Sequence, residues 1–131
     1  MKKATLLNGP LSAVVAAMGH TDTLTLGDCG LPIRGAAERI DLALTKGVPG
    51  FLETLDAVLS ELCVERAVLA EEIRDRSPAM HAAILERLGG VPVDYVPHEE
   101  LKVCSQSSRA VVRTGECTSY ANIILVSGVT F

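Results

Sequence analysis

Few side chains in this sequence can move a proton near neutral pH. Histidine alone titrates there without a perturbing environment, and the chain has three, His20, His81 and His98. His20 lies in Gly19-His20-Thr21-Asp22, just past an apolar stretch that reads as a helix, so the negative helix end favours its protonated form and makes it a candidate proton donor. The same position suits a histidine that only satisfies the last helical carbonyls. Asp28 follows a short strand-like stretch, which puts it outside a strand's carboxyl end, where open α/β sheets bind ligands. A turn aspartate holding local amides is the plainer alternative. Tyr120 and Asn122 stand two apart at the start of another predicted strand, so their side chains share one side. Their hydroxyl and amide could bind sugar hydroxyls, or be a solvated strand edge. His98 opens a predicted helix with Glu99 and Glu100, where a capping role is the bland reading. His81 reads as a surface residue flanking the Met80, Ile84, Leu88 stripe, and Glu71-Glu72 as a strand-end salt-bridging pair.

Other chemistries lack their residues. There is no Gly-x-Gly-x-x-Gly, no phosphate loop and no Gly-x-Ser-x-Gly, so no nucleotide cofactor is expected. His20, Asp22 and Asp28 could gather on a metal ion, but no His-x-x-x-His or other ligand spacing supports them, and no metal is expected. Cys29, Cys63, Cys104 and Cys117 form no Cys-x-x-Cys pair and read as reduced thiols.

The elements that must position these residues follow from periodicity and punctuation. Pro10 suits the first turn of a helix to Met18 that Gly19 would close in the left-handed conformation. Thr23 to Gly27 alternates as a strand, and Arg39 to Thr45 suggests another. Phe51, Leu52, Leu55, Val58, Leu59 and Leu62 mark one face of the clearest helix, with Glu53, Asp56 and Glu61 opposite. Ala67 to Ala70 reads as a buried strand; Ser77-Pro78 caps and starts a helix to Leu88 that Gly89-Gly90 ends. Val91 to Val96, Arg109 to Arg113 and Asn122 to Val126 complete the strands, with a short helix from His98 between the first two of these. Such alternation predicts a three-layer α/β/α domain over residues 1–131, with helices on both faces of a mixed or largely parallel sheet of about six strands.

At 131 residues, 48% apolar, the chain can bury a core without staples. A net charge of −4, with no basic run beyond Lys2-Lys3, argues against nucleic acid. Positive mean hydropathy and the apolar end Val126 to Phe131 predict a homo-oligomer in which Phe131 is packed. Lys2-Lys3 ahead of Leu11 to Met18 imitates a secretion signal, but Asn8-Gly9-Pro10 breaks the apolar stretch. No stretch approaches the roughly 20 apolar residues of a membrane span, so no membrane partner is expected, and the four cysteines read as reduced thiols put the expected location in the cytoplasm.

These segments coincide with a known pattern. Leu7-Asn8, Gly19-His20-Thr21-Asp22, Asp28-Cys29-Gly30-Leu31-Pro32, Ile40-Asp41-Leu42-Ala43-Leu44, Ala70-Glu71-Glu72-Ile73, His98-Glu99-Glu100, Arg113-Thr114-Gly115-Glu116, Tyr120-Ala121-Asn122-Ile123-Ile124-Leu125 and Gly128-Val129-Thr130-Phe131 occur in order, and the chain resembles the D-ribose pyranase family from end to end. The related L-fucose mutarotases typically carry Gly-His-Gly-Asp and Tyr-Gly-Asn where this chain has Thr21 and Ala121. The resemblance implies interconversion of β-D-ribopyranose and β-D-ribofuranose without a cofactor, in a homodecamer with sites near subunit contacts. It implies His20 as the acid, and Asp28, His98, Tyr120, Ala121 and Asn122 as sugar contacts. A fucose mutarotase-like activity, or a non-catalytic sugar-binding accessory of a transporter or kinase, are the alternatives.

Overall fold

The computed structural model describes residues 1–131. In chain order the elements are α1 (Gly9–Ala17), β1 (Thr23–Gly27), β2 (Glu38–Asp41), α2 (Phe51–Leu59), β3 (Val64–Ala70), α3 (Ile73–Arg76), α4 (Pro78–Leu88), β4 (Val93–Val96), α5 (His98–Ser105), β5 (Ala110–Arg113) and β6 (Ile123–Ser127). The six strands join in one mixed sheet, ordered β2-β5-β1-β6-β3-β4. β6 is the exception in direction: it runs antiparallel to both β1 and β3, while the other neighbours pair in parallel.

Strand alternation divides the buried side chains between two faces. Leu24, Leu26, Leu69, Val112, Ile123 and Leu125 point into a cluster of 19 buried residues that α1, α2 and α4 also feed. Val111 and Ile124 point the other way, into a cluster of five completed by Leu31, Ala70 and Leu101 of α5. Helices therefore cover both faces, as expected. Thr25 also faces the second side, and its buried hydroxyl is satisfied by Ser108 Oγ at 2.7 Å. α2 buries Phe51, Leu55 and Val58, and its Glu53 reaches back to the Gly50 N–H as an N-terminal cap.

Several expected boundaries move, each for a local reason. The Asn8 side chain accepts from Leu11 N at 2.9 Å, which starts α1 at Gly9; the helix ends at Ala17 with Met18 extended. Gly19 is not left-handed. Thr21 is, with φ 69°, because its N–H must meet Ser127 O while the Asp22 carboxylate takes Gly19 N. β2 stops at Asp41, whose carboxylate turns the chain by accepting from Ala43 N; Thr45 forms only an isolated bridge with Val48. The Ser77 hydroxyl does not cap α4, since it donates to Ser119 O at 2.7 Å. Phe131 finds no packing within its own chain, where it is fully exposed.

Gly115 ties the β5–β6 connection to the turn after β2. Its N–H donates to Pro49 O at 2.8 Å and its carbonyl accepts from Gly47 N at 2.6 Å. A Cβ there would run into the main-chain oxygens of Thr45 and Val48 and the nitrogen of Val48, none of which is a yielding side-chain end. Gly115→Ala should lower unfolding free energy by about 1–3 kcal/mol in urea titrations. Gly90→Ala, where an added Cβ meets nothing within 4 Å, should change it by less than about 0.5 kcal/mol.

Candidate functional site

The antiparallel course of β6 brings its amino end to the carboxyl ends of β1 and β3. Leu26 and Leu69 both pair with Ile123, so the residues just beyond β1 and β3 meet those just before β6. Five of the candidates from the sequence gather at this edge: Asp28, His98, Tyr120, Ala121 and Asn122.

Asn122 is fully buried, and its amide is spent on Asp28: Oδ1 accepts from Asp28 N at 2.9 Å and Nδ2 donates to Asp28 Oδ2 at 3.0 Å. The other Asp28 oxygen accepts from Gly30 N at 2.9 Å. Asp28 is thus both the turn former and a residue of the cluster. Tyr120 is not on a strand. It has φ 62°, its carbonyl accepts from Asn122 N at 2.8 Å, and β6 begins only at Ile123. The expected pairing of Tyr120 and Asn122 by strand alternation is therefore corrected; a tight turn brings them to this edge, and Asn122 is no solvated edge residue. Ala121 is fully buried in the larger core and its N–H meets Thr118 O, so its main-chain carbonyl is what it can offer a ligand.

His98 sits edge-on to Tyr120, ring centroids 5.1 Å apart. Its main-chain N–H is held by both Glu72 carboxylate oxygens at 3.0 Å, so Glu72 caps the amino end of α5 instead of forming the expected salt bridge. The His98 imidazole caps nothing. Its Nδ1 is buried without a hydrogen-bond partner, which the cost of an unsatisfied polar atom makes unusual, and which a ligand hydroxyl would repair.

Glu116, which the sequence reading passed over, organises the approach to Tyr120. One carboxylate oxygen accepts from Thr118 N at 3.1 Å and Thr118 Oγ1 at 2.8 Å, the other from Phe51 N at 3.1 Å at the amino end of α2. Burial alone would raise its pKa, but these donors outweigh it and hold the carboxyl below its ordinary 4.5. The anchorage is complete above pH 4.5 and is lost as the pH falls through the lowered value. His81 is half-buried, with Nε2 2.7 Å from the Tyr95 hydroxyl, and burial and the neighbouring Arg74 push its pKa down.

His20 is elsewhere. It lies at the amino ends of β1 and β3, where Nε2 stands 2.9 Å from Glu65 Oε2 rather than against helical carbonyls. β1 separates it from Asp28 by five residues, about 16 Å of strand. It lines a cleft of about 410 Å³ with Val15, Met18, Cys63, Val129 and Phe131. Asp22 faces Gly19 N and Arg109, so His20, Asp22 and Asp28 of one chain do not share a ligand.

Asn122→Ala should cost about 1–3 kcal/mol in urea unfolding, because it strands the Asp28 N–H beside a buried edge. Glu116→Gln should lower the melting temperature at pH 7 and flatten the loss of stability below pH 4.5, read by thermal scans across pH.

The chain is 55% identical over 131 residues to the D-ribose pyranase of Geobacillus kaustophilus, covering 100% of this chain and 96% of the relative. It is 56% identical to the D-ribose pyranase of Coprothermobacter proteolyticus, with full coverage of both. Bacillus subtilis RbsD, whose structure is in complex with D-ribose, superposes with a TM-score of 0.96 at 37% identity over the whole of both chains. The fucose mutarotase of Streptococcus pneumoniae, in complex with L-fucose, shares the fold at 24% identity and a TM-score of 0.86, with both chains fully covered. With its family profile matched over residues 1–130, the chain belongs to the RbsD / FucU transport protein family.

Proposed function

We propose that this chain is an isomerase that interconverts the pyranose and furanose forms of D-ribose by acid–base catalysed ring opening and closing. The observation that carries the reading is the polar cluster of Asp28, Asn122, Tyr120 and the unpartnered His98 Nδ1, in a chain more than half identical to proteins named for this activity. Its groups match a polyol: a carboxylate and a carbonyl accept from hydroxyls, and an imidazole nitrogen with a phenol can do either.

The chemistry asks little beyond two proton transfers. An acid protonates the ring oxygen as the anomeric hydroxyl loses its proton, the bond from the anomeric carbon to the ring oxygen breaks, and the open aldehyde forms. Attack by a different hydroxyl on the same carbon then closes the other ring size. His20 is proposed as the acid, worth roughly 10²–10⁴-fold in rate. Glu65 orients its ring through Nε2 and leaves Nδ1 to meet the sugar.

Because His20 and the Asp28 cluster lie at opposite ends of one sheet, the proposed site is shared: one copy contributes His20 and a second contributes Asp28, His98, Tyr120 and Asn122. Two features support this. None of the five main surface clefts of the single chain is lined by Asp28, His98, Tyr120 or Asn122, and the His20 cleft is rimmed by exposed apolar residues, Val129 and Phe131 among them. α1 adds to that surface, since it is apolar in sequence yet buries only Leu11. The homodecamer expected from the family, a single functional unit over residues 1–131 and a cytoplasmic location belong to the same proposal. No helix is long and apolar enough to cross a membrane.

Saturation-transfer NMR between ribose ring forms tests the reading. Catalytic amounts of protein should accelerate exchange; binding without acceleration would mean a sugar-binding accessory, and faster L-fucose anomer exchange than ribose exchange would favour the fucose-type activity. His20→Ala should retain ribose binding and lose at least tenfold in exchange, whereas Asp28→Asn should chiefly weaken binding in calorimetry. Mixed, reassembled and assayed at ribose too dilute for Asp28→Asn to bind, the two impaired variants should reach up to about a quarter of parental activity, from interfaces that pair an intact His20 with an intact Asp28. No recovery in mixed oligomers verified by native mass spectrometry would place both groups in one chain's site.

A further inference from the structure

Cys29 and Cys117 are 88 residues apart in sequence, yet their sulfurs lie 3.7 Å apart. Main-chain bonding sets that approach: Cys29 N donates to Glu116 O at 2.8 Å, and Arg113 Nε donates to Cys29 O at 3.1 Å. The two segments run side by side, and a disulfide needs the sulfurs to close by only about 1.7 Å, within reach of side-chain rotation. All four cysteines are free thiols, but Cys63 and Cys104 have no such partner. The pair is also placed against the candidate site. Cys29 directly follows Asp28, and Cys117 begins the segment that carries Tyr120 and Asn122.

We propose that Cys29 and Cys117 form a reversible dithiol–disulfide pair, oxidised by peroxide, that slows sugar turnover by drawing the Asp28 turn and the Tyr120 segment together. Cys117 is the exposed member and meets the oxidant first; Cys29 is half-buried, and its hydrogen bond to Cys117 together with burial raises its thiol pKa. The Cys117 thiolate attacks one peroxide oxygen, the O–O bond breaks, and the departing hydroxide takes a proton to leave as water. Cys29 sulfur then attacks the resulting sulfenic acid, the S–S bond forms, the S–O bond breaks, and a second water leaves with the Cys29 proton. Two thiols lose two electrons in all and the peroxide gains them. A dithiol reductant reverses the change by thiol–disulfide exchange. The closure bears on the hydrogen bonds around Asp28, whose carboxylate is held by Gly30 N on the Cys29 side and by Asn122 on the other.

The slowing of turnover rests on the ribose reading, while the cross-link does not, and the experiment reads both. The full chain is treated with equimolar hydrogen peroxide and digested without reduction. The expected result is a peptide joining Cys29 to Cys117, a mass loss of about 2 Da, two of the four thiols gone, and full recovery with dithiothreitol. Ribose exchange by NMR should fall at least tenfold in the oxidised form and return on reduction. Cys29→Ser should stop at a Cys117 sulfenic acid that dimedone traps. Cys117→Ser should exchange ribose at the parental rate and ignore peroxide. Thiol loss spread over Cys63 and Cys104 with no joined peptide overturns the pairing, and a joined peptide with unchanged exchange overturns the switch. A joined peptide in a protein whose reduced form does not turn ribose over supports the pairing and fails the ribose reading alone.

Discussion

A buried asparagine side chain cannot be left without partners, and Asn122 finds both of its partners on Asp28. That clasp depends on one topological fact, the antiparallel insertion of β6 between β1 and β3. A parallel β6 would carry residue 122 to the amino ends of those strands, away from Asp28. The direction of the last strand therefore decides that Asp28, Tyr120 and Asn122 meet, and that they meet where His98 enters α5.

The loops at this edge are held mainly by carboxylates bound to main-chain N–H groups. Asp28 takes Gly30 N, Glu72 takes His98 N, and Glu116 takes Phe51, Cys117 and Thr118 nitrogens. Such bonds fix backbone without occupying the side chains that face a ligand, so the His98 ring and the Tyr120 phenol are positioned but not consumed. Close packing does the same work at Gly115, where the β5–β6 connection lies directly on the turn of residues 45–49.

The two ends of the sheet have different characters. At the carboxyl edge of β1 the polar groups are interlocked and mostly satisfied within the chain. At the amino edge His20 and Glu65 are about half exposed, beside apolar residues left in solvent. A division of acid and sugar contacts between two copies follows from this layout under the proposed function, because a strand's length separates them in one chain.

Much of the architecture is legible in the residue pattern, since burial on one or both faces of an element imposes its own period. The apolar stripe of α2, the strand at Thr23 to Gly27, the turn at Asp28 and the helix from Pro78 to Leu88 all stand where periodicity and punctuation put them. The residue types of the candidate site were legible too, as was the family, because the motifs recur in order along the chain. What the pattern could not carry was anything that depends on which distant segments touch. Nothing in the spacing told that Tyr120 would leave the strand for a left-handed turn, that Glu72 and Glu116 would cap helices, or that Cys29 would face Cys117. The separation of His20 from Asp28 was equally hidden. Local sequence sets the conformational preferences of each segment, whereas strand order, strand direction and register arise from burying all the apolar faces at once, and only the folded sheet resolves that competition.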